Sequence, residues 1–341
     1  MTRRFAVFSG MVAMLLLAAG AAAATDLSGS VRKQDFDHGK VAARLAEYER
    51  AADAGDVSAQ YALENFYFWG KQCFQADYAK ASKWYRMAAD QGHLDSTHKL
   101  AWIFMHAVNP PQAGKAHNLW MKAAQRGYGK SMFLLGRGFE RGWWTGQPDP
   151  GSALEWYGRA VRAGYVEAYN ELGNYHSSGR GGLQDHEKAA EMYRMAAEAG
   201  DGPAQYNLGA AYETGRGVPK NYEKAAALYR QAVEQGFTWP MFRLGILYEW
   251  GRGVKQSYGH AAKWYREAAM QGYDEAQYAY GRLLETGRGT IRSKLLAAQQ
   301  YDQAARQGHR DARASLDRVK KGNPGIKLPE QYSSATKACM S

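Results

Sequence analysis

The sequence predicts an all-α protein, a right-handed α-solenoid of helix–turn–helix repeats with a period of about 36 residues. Three landmarks held in phase predict it. A glycine closes each unit, at Gly55, Gly92, Gly127, Gly164, Gly200, Gly236, Gly272 and Gly308. An aromatic stands seven residues before each of them: Tyr48, Tyr85, Trp120, Tyr157, Tyr193, Tyr229, Tyr265 and Tyr301. Small pairs such as Ala88-Ala89 and Ala268-Ala269 follow the aromatic. Self-similarity at a fixed period of this size means stacked supersecondary units, none of which buries its own apolar face alone.

The unit at 204–236 shows how each repeat folds. Tyr206, Leu208, Ala211 and Tyr212 recur at helical spacing and define a first helix. Gly209 lies on that apolar stripe, and a helical glycine costs about 1 kcal/mol relative to alanine. A close approach by the partner helix is the expected reason, and Gly136, Gly173, Gly245 and Gly281 occupy the same register. Gly215 and Gly217 end the first helix and Pro219 prevents its continuation. A second helix starts near Tyr222 and carries Ala225, Leu228, Tyr229 and Ala232, with Tyr229 expected to reach toward the neighbouring unit.

At these residues the pattern resembles the Sel-one-like repeat (SLR) family, a relative of the tetratricopeptide repeats. The shared signature is A-x-x-x-L-G-x-x-Y-x-x-G-x-G-V, then K-A-x-x-x-Y-x-x-A and a closing glycine. Residues 204–236 and 240–272 carry it nearly throughout, the latter through Leu244, Gly245, Tyr248, Gly251, Gly253, Val254, Ala261, Trp264 and Tyr265. The resemblance implies a scaffold for assembling protein complexes. It also implies an alternative, since some members are immunity proteins that neutralise secreted toxins. Other units depart from the pattern. The second has Asn109-Pro110-Pro111 in place of the G-x-G turn, and the third has Gly142-Trp143-Trp144.

Along the chain, residues 1–24 read as a signal peptide. Arg3 and Arg4 precede an apolar run, and Ala22-Ala23-Ala24 gives the small-residue cleavage site. Residues 25–38 are a polar segment, 39–321 the solenoid with a capping helix, seven helix pairs and a closing helix, and 322–341 an extended tail. The expected product starts near Thr25, is periplasmic or secreted, and has no transmembrane segment in the mature chain. The two cysteines, Cys73 and Cys339, rule out repeat-by-repeat stapling and leave open a single bridge or free thiols.

The formal net charge is +11. Export points away from nucleic acid and toward an acidic protein surface or an anionic polysaccharide. The charge concentrates at the C-terminal end, where residues 281–321 carry ten basic and four acidic side chains.

Chemistry-bearing patterns are sparse. The repeated Gly-Arg-Gly follows a helix, so it reads as helix termination and not as a phosphate loop. His98 and His106 stand eight apart without a cysteine or acidic residue to complete a zinc set. His176-Ser177 lacks the context of a nucleophile. The expectation is therefore a non-catalytic protein with no metal and no cofactor. Trp and Arg are the side chains most enriched at binding hot spots. On the first helices, Phe68, Trp69, Trp102, His106, Arg137, Arg141 and Trp250 fall in register for a partner-binding groove. Trp143 and Trp144 read equally as patches over an irregular unit junction.

Overall fold

In a computed structural model, which describes residues 38–70 and 76–328, the chain forms sixteen α-helices and no strand among the described residues. The signal peptide, both cysteines and residues 329–341 lie outside the described residues. The helices gather into two compact units, Met1–Ser96 and Thr97–Ser341. The first contains α1 (His38–Asp53), α2 (Val57–Trp69), α3 (Tyr78–Asp90) and the start of α4 (Leu94–His106). The second continues α4 and adds the following helices. They are α5 (Ala113–Gln125), α6 (Gly129–Arg141), α7 (Pro150–Arg162), α8 (Glu167–Ser178), α9 (His186–Glu198), α10 (Gly202–Thr214), α11 (Tyr222–Glu234), α12 (Trp239–Trp250), α13 (Tyr258–Met270), α14 (Asp274–Thr286), α15 (Lys294–Arg306) and α16 (Arg310–Lys321). Even-numbered helices from α2 are the first helices of repeats, odd-numbered ones the second.

The helix stripe glycines face an aromatic ring. A Cβ placed on Gly209 would lie 2.7 Å from Cε1 of Tyr229, and Gly136 and Gly281 meet Tyr157 and Tyr301 in the same way. The tyrosine therefore lies across the first helix of its own repeat. It also packs on the next repeat as its sequence position suggests, Tyr229 clustering with Leu244 and Leu247 and Tyr157 meeting Tyr175 at 5.5 Å. Its hydroxyl continues to a carboxylate one turn further on. Tyr157, Tyr229, Tyr265 and Tyr301 donate to Glu140, Glu213, Glu249 and Glu285 at 2.9, 2.7, 2.7 and 2.8 Å. Burial first, and the glutamate beside it second, push the Tyr229 and Tyr265 hydroxyls well above the usual tyrosine range, so they remain donors.

Each of these glutamates then takes a cation from further along the chain. Arg282 reaches Glu249, Arg318 reaches Glu285 at 2.7 Å, and Arg180 reaches Glu140 at 3.1 Å. Arg282 and Arg318 each stand ten residues after a closing glycine, on the first helix of the repeat that follows. The result is a Tyr–Glu–Arg ladder in which half-exposed charges lock one repeat to the next.

The turns serve the same stacking. The closing glycines adopt φ between +78° and +98°, a region open to glycine at little cost. Gln205 and Gln277 donate to the last-turn carbonyls of Ala197 and Ala269, and accept from Gln235 and Gln307 at 2.9 Å. In Gly-Arg-Gly the two glycines do different work. Gly251 caps α12 in the left-handed conformation. A Cβ on Gly253 would collide with the backbone of Tyr222, at the start of the preceding repeat's second helix. The second glycine is thus a contact between successive loops, beyond the helix termination that the sequence predicts.

The C-terminal segment departs from an extended tail over its described part. Asn323 receives a hydrogen bond from Lys294 and donates to the Val319 carbonyl, and Ile326 and Leu328 pack on the core around Leu284, Tyr301 and Val319. These residues cover part of the apolar surface of the last helices.

Gly209→Ala is expected to lower stability by about 1–3 kcal/mol despite the better helix propensity of alanine, because its Cβ overpacks the Tyr229 ring. Gly114→Ala, with nothing within 4 Å of the added carbon, is expected to be neutral or slightly stabilising. Thermal unfolding of the two variants beside the wild type checks the contrast.

Candidate functional site

Within the second unit the ladder lacks its glutamate at Ser177, where Tyr193 donates to Asn174 instead, and at Met105, and the break at Met105 leaves an unpaired cationic surface. Arg137 stands ten residues after Gly127, in the register of Arg282 and Arg318. In the preceding repeat the position of the pairing glutamate is taken by Met105, and that of the tyrosine by Trp120. Trp120 has no hydroxyl to give; its indole N–H donates instead to the His98 carbonyl at 3.2 Å, and the ring is fully buried. No carboxylate is therefore present to receive Arg137. Neither Arg137 nor Arg141, one turn further along α6, forms an ion pair among the described residues. Glu140 between them is engaged with Tyr157 and Arg180.

Aromatic rings surround the two guanidinium groups. The rings of Trp102 and His106, one turn apart on α4, lie 5.0 Å from each other. His106 meets the edge of Trp143 at 5.7 Å. Arg141 stands over Trp143 at 5.8 Å and Arg137 over Phe133 at 5.9 Å, both within the range of cation–π attraction. Partial burial, then Arg137 and Arg141, hold the His106 imidazole below its usual range. The surface is thus doubly positive and aromatic, with His106 and Arg141 exposed and Trp102, Arg137 and Trp143 half-buried. Such a surface suits a carboxylate-bearing segment that also carries an apolar side chain.

Trp143 and Trp144 serve the junction as well. Trp144 lies in the space that the Gly138 side chain would occupy, and the two indoles contact the Trp120 ring at 6.2 and 5.9 Å. His117 is sandwiched between Trp144 and Phe139, with its Nδ1 buried and unpartnered. The patching role is structural fact for Trp144, while Trp143 joins both the patch and the cationic surface.

The structure brings together four of the predicted residues: Trp102, His106, Arg137 and Arg141. Of the other three, Phe68 and Trp69 belong to the first unit and Trp250 ends α12. Phe68 is only 7% exposed and packs against Tyr78 and Tyr85 in the core of the first unit. Its register, two residues before the loop glycine, is that of the ladder glutamates and turns inward over the second helix. Trp69, in that same unit, is 64% exposed and its ring touches Phe68. Trp250 is 61% exposed at the end of α12, with no ring contact among the described residues. Sequence reasoning missed why Arg137 is available: the signal was the joint loss of glutamate at 105 and tyrosine at 120.

The other candidate chemistry dissolves. His98 lies beneath Trp120 and Tyr128 and shares a hydrogen bond with Ser131, away from His106 at the open end of α4. Ser178 donates to the Asn174 carbonyl of its own helix. Among the described residues no three His, Cys, Asp or Glu side chains gather as metal ligands do.

The family model of the Sel1 repeat matches residues 57–93, 129–165, 166–201, 202–237, 241–273 and 274–309. The chain belongs to the Sel1 repeat family. The matched segments pass over residues 94–128, the repeat that carries Met105 and Trp120. Among solved structures, the chain is similar to c5321, a protective antigen present in uropathogenic Escherichia coli strains that displays an SLR fold. The two are 29% identical with a TM-score of 0.75, over 84% of this chain and 61% of that one. A Sel1 repeat protein from Oxalobacter formigenes is 28% identical with a TM-score of 0.65, over 84% and 83% of the two chains. Chitin synthase regulatory factor 3 of Schizosaccharomyces pombe is 30% identical over 128 residues, which are 37% of this chain and 14% of that protein. The chain thus spans a small part of that curated relative and under two thirds of the antigen. The fold is that of a protein-interaction scaffold.

Three imidazoles are depressed here, each chiefly by burial: His106, His117 and His176. The unfolded chain takes up these protons near the ordinary histidine value of about 6.5, before the folded chain does. Their contribution to stability is therefore complete above that value and lost as pH falls through it. The midpoint of thermal unfolding is expected to fall from about pH 7.5 to about pH 5, and His117→Leu to reduce that slope.

Proposed function

We propose that this chain is an exported scaffold that binds an acidic protein partner through the cationic aromatic surface of α4 and α6. The observation that carries the reading is the pair of unmatched arginines, Arg137 and Arg141, set beside Trp102, His106 and Trp143. In a repeat array whose equivalent arginines Arg282 and Arg318 are neutralised internally, a repeat that forgoes its glutamate leaves charge for something else. Desolvating one of these arginines against a partner carboxylate is a strong contact when made, and costly when one side is removed.

Export rests on the sequence of residues 1–24 and makes the periplasm or the exterior the working compartment. No helix among the described residues is long and apolar enough to cross a membrane. The paired rings and guanidinium groups of this surface suit recognition.

The test is affinity capture from a native envelope extract with protein starting at Thr25, beside an Arg137→Ala/Arg141→Ala variant. One protein retained by the wild type is expected to be lost from the variant. Its titration against purified scaffold is expected to weaken by about 30-fold or more, as for a hot-spot pair, and to weaken further with salt. Equal retention by both proteins sinks the reading.

A further inference from the structure

We infer that the Gly-Arg-Gly loop edge of the second unit docks on an anionic phospholipid surface. This edge lies at the loops between first and second helices, and the inference is independent of the α4/α6 surface.

Charge is the first observation. The loops 215–221, 251–257 and 287–293 each carry two cations and no acidic residue: Arg216 and Lys220, Arg252 and Lys255, Arg288 and Arg292. All six are exposed, and none is in an ion pair among the described residues. In the helix turns that follow, Glu223 is the one carboxylate. The opposite edge, at the closing glycines, has a different character, with Glu167, Asp201, Asp274, Glu275 and Asp311 at the starts of the first helices. The loop edge is therefore cationic in each of these three repeats, whereas the opposite edge mixes these carboxylates with cations such as Arg162, Arg306 and Arg310.

Geometry makes these six a single row. Gly253 and Gly289 press on the backbone of Tyr222 and Tyr258, which begin the second helices of the repeats before. Arg252 and Arg288 lie over those same tyrosine rings at 5.6 and 5.4 Å. Successive loops are thus in contact, and their cations are braced from repeat to repeat. The row also coincides with the N-termini of α11, α13 and α15, whose dipoles favour anions.

The apolar residues of this edge choose the occupant. Ile291 is 87% exposed between Arg288 and Arg292, and Leu183, at the equivalent position of the loop after Arg180, is 92% exposed. Leu295 and Leu296 are exposed in the first turn of α15. A soluble polysaccharide offers an isolated aliphatic tip little. The boundary between lipid headgroups and acyl chains takes such tips while phosphates meet the flanking cations. Each cation near an anionic membrane surface strengthens binding by about fivefold. Edge contact of this kind asks for no spanning helix, in keeping with the helices described.

The test uses the mature chain and flotation with vesicles of phosphatidylcholine alone or mixed with phosphatidylglycerol. Binding to the mixed vesicles at low salt and not to phosphatidylcholine is expected. Arg252→Gln/Arg288→Gln is expected to weaken it by at least about tenfold, with at most a small fall in melting temperature from the lost ring contacts. Leu183→Ser/Ile291→Ser is expected to weaken it by several-fold with an unchanged melting curve, because both side chains are exposed. Three results overturn the inference. One is no flotation with the mixed vesicles. Another is equal flotation with both compositions. The third is loss on removing charge but none on removing Leu183 and Ile291, which would describe a soluble polyanion.

Discussion

The structure depends on a ring lying flat against a helix that has no side chain to hold it off. Where Tyr229 crosses Gly209, the absent Cβ lets the second helix close on the first, and the ring buries while its hydroxyl reaches Glu213. A buried tyrosine hydroxyl needs a partner, and a buried carboxylate needs more than one. Glu249 meets that need with Tyr265 on its own repeat and Arg282 on the next. One contact thus couples the inside of a repeat to the joint between repeats, so the array is held by the same few atoms at each step. The small residues beside the tyrosine, Ala268 and Ala269 among them, are buried for the same reason.

The second repeat is where that economy is suspended. Trp120 replaces the tyrosine and Met105 the glutamate. The two changes suit each other, since an indole needs no carboxylate and finds the His98 carbonyl instead. Two more indoles, Trp143 and Trp144, fill the irregular junction around it. The by-product is an arginine with no internal partner next to a bank of half-exposed rings. That the family model passes over residues 94–128 is the same fact seen from the sequence side. A repeat freed from the common pattern is where an array acquires a surface of its own.

Much of this was legible in the sequence. The phased glycines and aromatics marked the helix pairs of a repeat with a period of about 36. Gly209 and its counterparts announced a close approach, though the partner is the tyrosine of the same repeat. What could not be read was the direction of side chains at the ends of the first helices. Phe68 and Trp69 are neighbours with a quarter-turn and more between them, and only one faces outward; sequence spacing alone assigned both to a groove. The pairing state of the arginines was also invisible residue by residue. Arg137 and Arg282 occupy equivalent positions, and the difference resides in Met105 and Glu249 on the preceding repeats. The unlike roles of the two glycines in Gly-Arg-Gly needed the neighbouring loop to be seen.

The most direct measurement is the affinity of a short acidic peptide containing one aromatic residue, by titration calorimetry, for the wild type and for Met105→Glu. Methionine and glutamate are close in size, and the new carboxylate stands in the register from which Glu249 holds Arg282. If Arg137 is available only because residue 105 is not acidic, the wild type binds the peptide and the variant loses most of that affinity while melting at or above the wild-type temperature. Equal binding by the two proteins would contradict the account, because the arginine would then owe nothing to the broken ladder.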